Sequence, residues 1–277
     1  MQRVIFVLSL MLLVFPELAT SQPLNQDFQQ NSIQYRTPKA LFNGKNLKGW
    51  YTFLQNRGKN IDPLQVFTVV DQQIRISGEE WGCITTKKVY DHYRLKLEFR
   101  WGGKTDGNRR DKARDSGLLL HSTGDDGGSA GIWMHSIECQ IIEGGTGDIL
   151  VVGDGSDKFS ITASVAKEKQ AGSYRYEEGG SKAVLNKGRL NWYGRDENWL
   201  DVIGFKGKQD VEKPMGEWNS LECIANGTEI IVYLNGVLVN RAREVKPSKG
   251  RIQIQSEGAE IYVRNIELTQ QKKSRKN

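Results

Sequence analysis

Along most of the chain, apolar residues alternate with polar ones in short runs that end at Gly, Asn or Asp. A period of two sends successive side chains to opposite faces, so each run reads as a strand with one buried face. Strands are predicted over 67–70, 73–77, 93–100, 117–121, 136–142, 219–225, 229–234, 251–255 and 261–269. Between the runs IIVYL and VLVN stands Asn235-Gly236, two residues that tolerate positive φ and so predict a tight hairpin. Helical periodicity is confined to short stretches such as 165–170. Thirty glycines and six prolines fit many tight turns. Neither an internal repeat nor an interdomain linker is visible. The pattern predicts a single all-β domain, a sandwich or barrel of antiparallel strands.

The N-terminus has a different character. Arg3 precedes an apolar run over 4–15, Pro16 breaks it, and Ala19-Thr20-Ser21 places small residues before a cleavage point after Ser21. Residues 1–21 therefore read as a signal peptide, 22–39 as a polar segment, 40–269 as the β-domain and 270–277 as a basic tail. The expectation is an exported protein, periplasmic or extracellular. A run of twelve residues is too short to span a bilayer comfortably, and no later stretch comes close, so no membrane span is expected. The formal charge of +6 shrinks to about +2 once Lys272, Lys273, Arg275 and Lys276 are set aside, which leaves no footprint for nucleic acid. Of three cysteines, Cys139 and Cys223 lie among alternating apolar residues and are expected buried and reduced; an odd count leaves one thiol unpaired in any case.

Several segments carry candidate chemistry. In the 136–142 strand, Ile137, Cys139 and Ile141 share the core face. Ser136, Glu138 and Gln140 then face solvent or a groove. In the 117–121 strand, Leu118 and Leu120 share one face, while Leu119 and His121 share the other. His121, His135, Glu138 and Glu143 gather titratable groups in this pair of segments, and His92 stands apart. Trp192, Tyr193 and Trp199 crowd a polar stretch, as rings that stack on sugars do and as rings that plug a sandwich end also do. Trp50, Trp101 and Trp218 read as core or corner residues; Asp148 and Arg195 read as rim groups. The glycine-rich loops at 124–131 and 144–155 lack the Lys-Ser/Thr ending of a phosphate cradle.

Five segments in order resemble a known family: LFNGKNLKGW at 41–50, DSGLLL at 115–120, SIECQIIE at 136–143, GEWN at 216–219 and GRIQIQSEGAEIYVRNI at 250–266. This is similar to the 3-keto-disaccharide hydrolase family, whose members act on glycosides oxidised at C3 as hydrolases or 1,2-lyases. The resemblance implies a concanavalin A-like jelly-roll β-sandwich of two antiparallel sheets, with a glycoside or oligosaccharide as its small-molecule partner. Asp115 and His121 depart from the Asn and Arg that many members carry there, and 191–212 marks a particular subgroup.

A C3 ketone acidifies the C2 hydrogen, so the chemistry needs a base, an acid for the leaving oxygen and positive charge near the enolate. Glu138 or His135 is the candidate base, with His121 and Glu143 in the same group. Arg114, Lys182 or a divalent cation held by His135 and Glu138 would stabilise the enolate. Asp115, Gln140, Asp148, Trp192 and Arg195 are candidate substrate contacts. Direct hydrolysis would instead use two carboxylates across the bond. A non-catalytic carbohydrate-binding sandwich and a structural envelope protein remain the other readings of the same fold.

Overall fold

A computed structural model describes residues 35–272, and within that range the chain is built almost wholly of strands. They form two sheets. The ten-stranded sheet runs Ser181–Leu185, Ser160–Val165, Val237–Lys246, Glu229–Leu234, Asn219–Asn226, Tyr93–Thr105, Ala259–Gln270, Gln73–Ile76, Phe67–Val70, with Lys39–Ala40 added on Ala259–Gln270. The nine-stranded sheet runs Tyr174–Arg175, Gly188–Asn191, Ile149–Val152, His135–Ile142, Asp115–Thr123, Arg251–Ser256, Gly82–Thr86, Trp50–Leu54, Gly58–Lys59. This is a jelly-roll sandwich. Pairing is antiparallel except where Tyr174–Arg175 meets Gly188–Asn191 in parallel. The signal peptide expected over 1–21 and the part of the polar segment 22–39 that precedes residue 35 lie outside the described residues, as does most of the basic tail. Among the described residues, no helix is long and apolar enough to cross a membrane.

The core follows from the alternation. Ile137, Cys139 and Ile141 meet Leu118 and Leu120 from the neighbouring strand, and Leu221, Cys223 and Leu95 from the opposite sheet, in one buried cluster. Each such side chain, taken fully out of water, contributes about 1.5–3 kcal/mol. Cys83, Cys139 and Cys223 are all buried and free. The Asn235-Gly236 turn forms as its residues dictate, with φ of 51° and 84°. The helical expectation over 165–170 is not met: Val165 ends a strand, and Gln170 pairs in a turn with Ser173. Among the described residues the one helical element is a 3-10 turn, Gly107–Arg109.

One local irregularity changes a face. His121 adopts φ 55°, and the register to both neighbouring strands shifts around it, as in a β-bulge. The extra residue breaks the period of two. His121 therefore lies edge-on against the core residue Tyr93, centroids 5.8 Å apart, instead of sharing the outer face with Leu119.

Candidate active site

The outer face of the nine-stranded sheet carries the site. Register aligns Arg189, Leu150, Glu138, Leu119, Gln253, Thr85 and Tyr51 in one row across seven strands. The neighbouring row puts Gln140 opposite Gly117, with Gln255 alongside and opposite Cys83. Sequence alternation sends these side chains outward, yet Glu138 and Gln140 are only 4 % and 3 % exposed. Loops fold over the sheet and exclude water from a polar face.

Gly117 makes the centre of the site. A Cβ there would stand 2.1 Å from Gln255 Oε1 and 2.4 Å from Glu138 Oε1, so both side chains occupy space that only glycine leaves open. Among the described residues the Glu138 carboxyl has no hydrogen-bond partner, and Gln255 Oε1 is buried without one. Burial pushes the Glu138 carboxyl up to about 8, and the Asp115 carboxyl adds to the effect. Asp115, also buried, is pushed up to about 7, while Arg109, Arg189 and a 2.5 Å hydrogen bond donated by Gln140 Nε2 favour its anion. Glu257, half-buried, is raised by burial and by these two carboxyls. Three acids thus crowd one place with two guanidinium groups. Near neutral pH they cannot all ionise, so protons are held in the site.

A rigid ion network frames this cluster. Asp148, fully buried, accepts hydrogen bonds from Arg189 at 2.6 Å, Arg195 at 2.5 Å and the Trp192 backbone N–H at 2.7 Å. Arg189 also donates to Gln140 Oε1 at 3.3 Å. On the other side Arg109 grips Asp201 through two hydrogen bonds and lies 3.6 Å from Asp115. Beside the acids the face turns apolar. Cys83, Leu119, Ile132 and Trp133 form a cluster separate from the main core, with Phe53, Trp81 and Val152 packed on it.

The residues singled out from sequence divide into those that converge and those that do not. Glu138, Gln140, Asp115, Asp148 and Arg195 belong to one connected arrangement. Glu143 and Arg114 form a buried ion pair of 2.5 Å; Glu143 also accepts from the Gly204 N–H, so both are structural ties at the strand end. Trp192 is 1 % exposed and belongs to the core. Lys182 lies exposed on the other sheet, paired with Glu244. His121 bonds through Nδ1 to the Pro247 carbonyl, and burial lowers its imidazole to about 4, so it stays neutral. His135 tilts onto the core residue Phe159 with ring centroids 4.6 Å apart. It faces inward while Glu138 faces outward, so the two do not form a metal-binding pair. Among the described residues no three His, Cys, Asp or Glu side chains are grouped to hold a metal ion.

Arg109, Arg189, Gln255 and Glu257 were not singled out in the sequence. The outward alternation of Arg189 and Asn191 along Gly188–Asn191 was an available signal for one of them. Arg109 ends the short 3-10 turn and Glu257 lies in a bend, segments too short for any periodicity to speak.

A jelly-roll sandwich with buried acids and arginines on one outer sheet face has the architecture of a carbohydrate-active protein. The chain matches the family described as the 3-keto-alpha-glucoside-1,2-lyase-like domain over residues 37–269, and it belongs to that family. Among solved structures it is similar to a Parabacteroides distasonis protein provisionally described as a glycosyl hydrolase, at 17 % identity and TM-score 0.51, covering 85 % of this chain and 94 % of that one. A second such protein of the same organism matches at 20 % identity and TM-score 0.49, over 85 % and 100 % of the two chains. The carbohydrate-binding module CBM66 of Bacillus subtilis matches at 15 % identity and TM-score 0.40, over 79 % and 93 %. At 17 % identity the first of these likenesses is one of fold. A comparison with curated proteins found no match.

Proposed function

We propose that this protein cleaves 3-keto-glycosides by elimination across C1 and C2, with Asp115 as the base and Glu138 as the acid. The observation that carries this is the Glu138 carboxyl: buried, without a hydrogen-bond partner among the described residues, and held protonated near neutral pH. An acid kept neutral at working pH is suited to donate a proton to a leaving oxygen. Asp115 differs from it in having Gln140 and two arginines to favour its anion, which suits a base.

In the first step the Asp115 carboxylate removes the C2 proton. The C–H electron pair forms the C2–C3 double bond and the ketone oxygen becomes an enolate, which Arg189 is charged to stabilise. In the second step the enolate reforms the ketone, the electron pair moves into a C1–C2 double bond, and the C1–O bond breaks. The departing oxygen takes the bond pair and the Glu138 proton. Water adding back at C1, with a proton returned to C2, gives net hydrolysis. The same residues serve both directions, so lyase and hydrolase outcomes differ only in whether water completes the cycle. The segment 1–21 adds that this takes place after export, in a periplasm or outside the cell.

The test is to incubate the purified protein with a 3-keto-glucoside in D2O and follow aglycone release together with deuterium at C2. Release of a saturated keto-sugar with label at C2 supports elimination and hydration; release of the C1–C2 unsaturated keto-sugar supports elimination without water; release of a saturated keto-sugar without label points to direct displacement. Absence of release across a panel of keto-sugars, with and without divalent metal, removes the enzymatic reading, and calorimetry with unmodified oligosaccharides then tests a binding module.

A further inference from the structure

Resting on that elimination, we infer that the leaving-group subsite is the apolar plate of Trp81, Trp133, Leu119 and Phe53, and that it takes an aromatic aglycone in place of a second sugar. Glu138 stands at a boundary. To one side, Gln140, Asp115 and Arg189 supply the charges and hydrogen bonds that a hydroxylated keto-sugar needs. To the other, Leu119 lies directly opposite Glu138 in register and begins the apolar cluster. Trp81 and Trp133 are stacked there, with centroids 6.2 Å apart and planes at 26°. Trp133 is buried and Trp81 half-buried, so the pair presents indole surface to the outer face. An opening of about 410 Å³ lined by Gln55, Trp81, Asn108 and Ile132 meets the Trp81 edge of this plate.

With the exposed amides of Gln55 and Asn108 standing at the mouth of the opening, the plate itself is short of groups that could bind hydroxyls. Gln253, the polar residue within it, is already satisfied: its Oε1 accepts from the Met134 N–H, and its Nε2 donates to Thr85 Oγ1 at 3.0 Å and Cys83 Sγ at 3.1 Å. Burial pushes the Cys83 thiol up to about 12, so it stays neutral. Beneath the plate, Ser136 Oγ, buried without a partner opposite Val152, can take a single oxygen. A sugar leaving group would lose several hydrogen bonds to water here and regain few, whereas an aromatic ring loses none and stacks. A polar cavity of about 530 Å³ lies beyond the network, lined by residues that include Lys169, Arg175, Arg195 and Lys208. Arg195, which pairs with Asp148, lines that cavity, while Glu138, Asp115 and Arg189 do not.

The test compares benzyl 3-keto-glucoside with a disaccharide oxidised at C3 of the same reacting glucose. Benzyl alcohol is about as poor a leaving group as a sugar hydroxyl, so the comparison reads binding and not intrinsic reactivity. The wild-type protein should show a KM at least tenfold lower for the benzyl substrate. Trp81→Ala should raise that KM about tenfold and shift the disaccharide KM less than twofold, and Trp81→Phe should restore most of the difference. A wild-type preference for the disaccharide, or an equal loss on both substrates in Trp81→Ala, overturns the inference. If neither substrate is turned over, the elimination proposal fails separately. The subsite is then read by calorimetry with benzyl glucoside: binding lost in Trp81→Ala supports it, and absence of binding to the wild type overturns it.

Discussion

Asp115 and Glu138 are both carboxyls with short paths to the same space, and their surroundings give them different tasks. Below about 7 Asp115 takes up a proton and the base is lost; above about 8 Glu138 gives one up and the acid is lost. The rate profile in kcat/KM should therefore be a bell with its maximum between those values, whose limbs belong to the interacting pair. Asp115→Asn should remove the acidic limb and Glu138→Gln the alkaline one, each lowering kcat about 10²–10⁴-fold. A flat profile from pH 5 to 9 in the wild type would contradict both assignments. Gly117 tests the geometry without touching a titratable group. Gly117→Ala forces a methyl into the space of the Glu138 and Gln255 oxygens. Activity should fall at least a hundredfold while circular dichroism and the melting temperature stay near wild type, because flexible side-chain ends can move aside where the backbone need not. Loss of the fold in this variant would mean that Gly117 serves packing.

At the scale of elements, the strands were the legible part, because a two-residue period survives any tertiary context that keeps one face buried. Ile137, Cys139 and Ile141 went to the core as alternation requires. His121 did not go where alternation sends it, since the bulge that turns it inward is set by pairing to Arg251–Ser256 and leaves no mark in its own strand. Charged partners from loops were equally hidden: Arg109 reaches Asp115 through a segment with no period at all. The hairpin at Asn235-Gly236 shows how much a turn can carry beyond its φ values. Asn235 donates to Val211 O at 2.7 Å and Asn219 Oδ1 at 2.8 Å, and accepts from the Ser220 N–H at 2.9 Å. Asn235→Gly keeps a residue at home with positive φ and removes only those bonds. It should cost about 1–3 kcal/mol in urea unfolding, with the m-value unchanged. A cost below about 0.5 kcal/mol would mean that the side chain merely rides on the turn.

For the whole molecule, the consequence of closing loops over a polar sheet face is a fold that holds protons. Asp115, Glu138, Glu257, Asp210 and Glu212 are all raised, burial being the largest cause in each. Glu212 isolates the effect, because it lies outside the catalytic group: its carboxyl, pushed up to about 8, accepts from Trp101 Nε1 and shares a 2.7 Å hydrogen bond with Thr146 Oγ1. The unfolded chain ionises this group near 4.5, its ordinary value, while the folded chain keeps the proton to about 8. Between those pH values the native state binds more protons than the unfolded state, so stability falls as pH rises and levels off above about 8. One such group contributes a slope of up to about 1.4 kcal/mol per pH unit. Glu212→Gln has the shape of the protonated acid and can keep both hydrogen bonds, but it cannot ionise. Melting temperature should therefore decline less steeply from pH 5 to 8 in Glu212→Gln than in the wild type, with the two curves meeting near pH 5 and the variant the more stable at pH 8. Parallel curves would show that Glu212 is ionised in the fold. The charge would then have to be matched by a cation close by, and Lys206, whose Nζ bonds the Glu212 backbone carbonyl, is the group placed to do it.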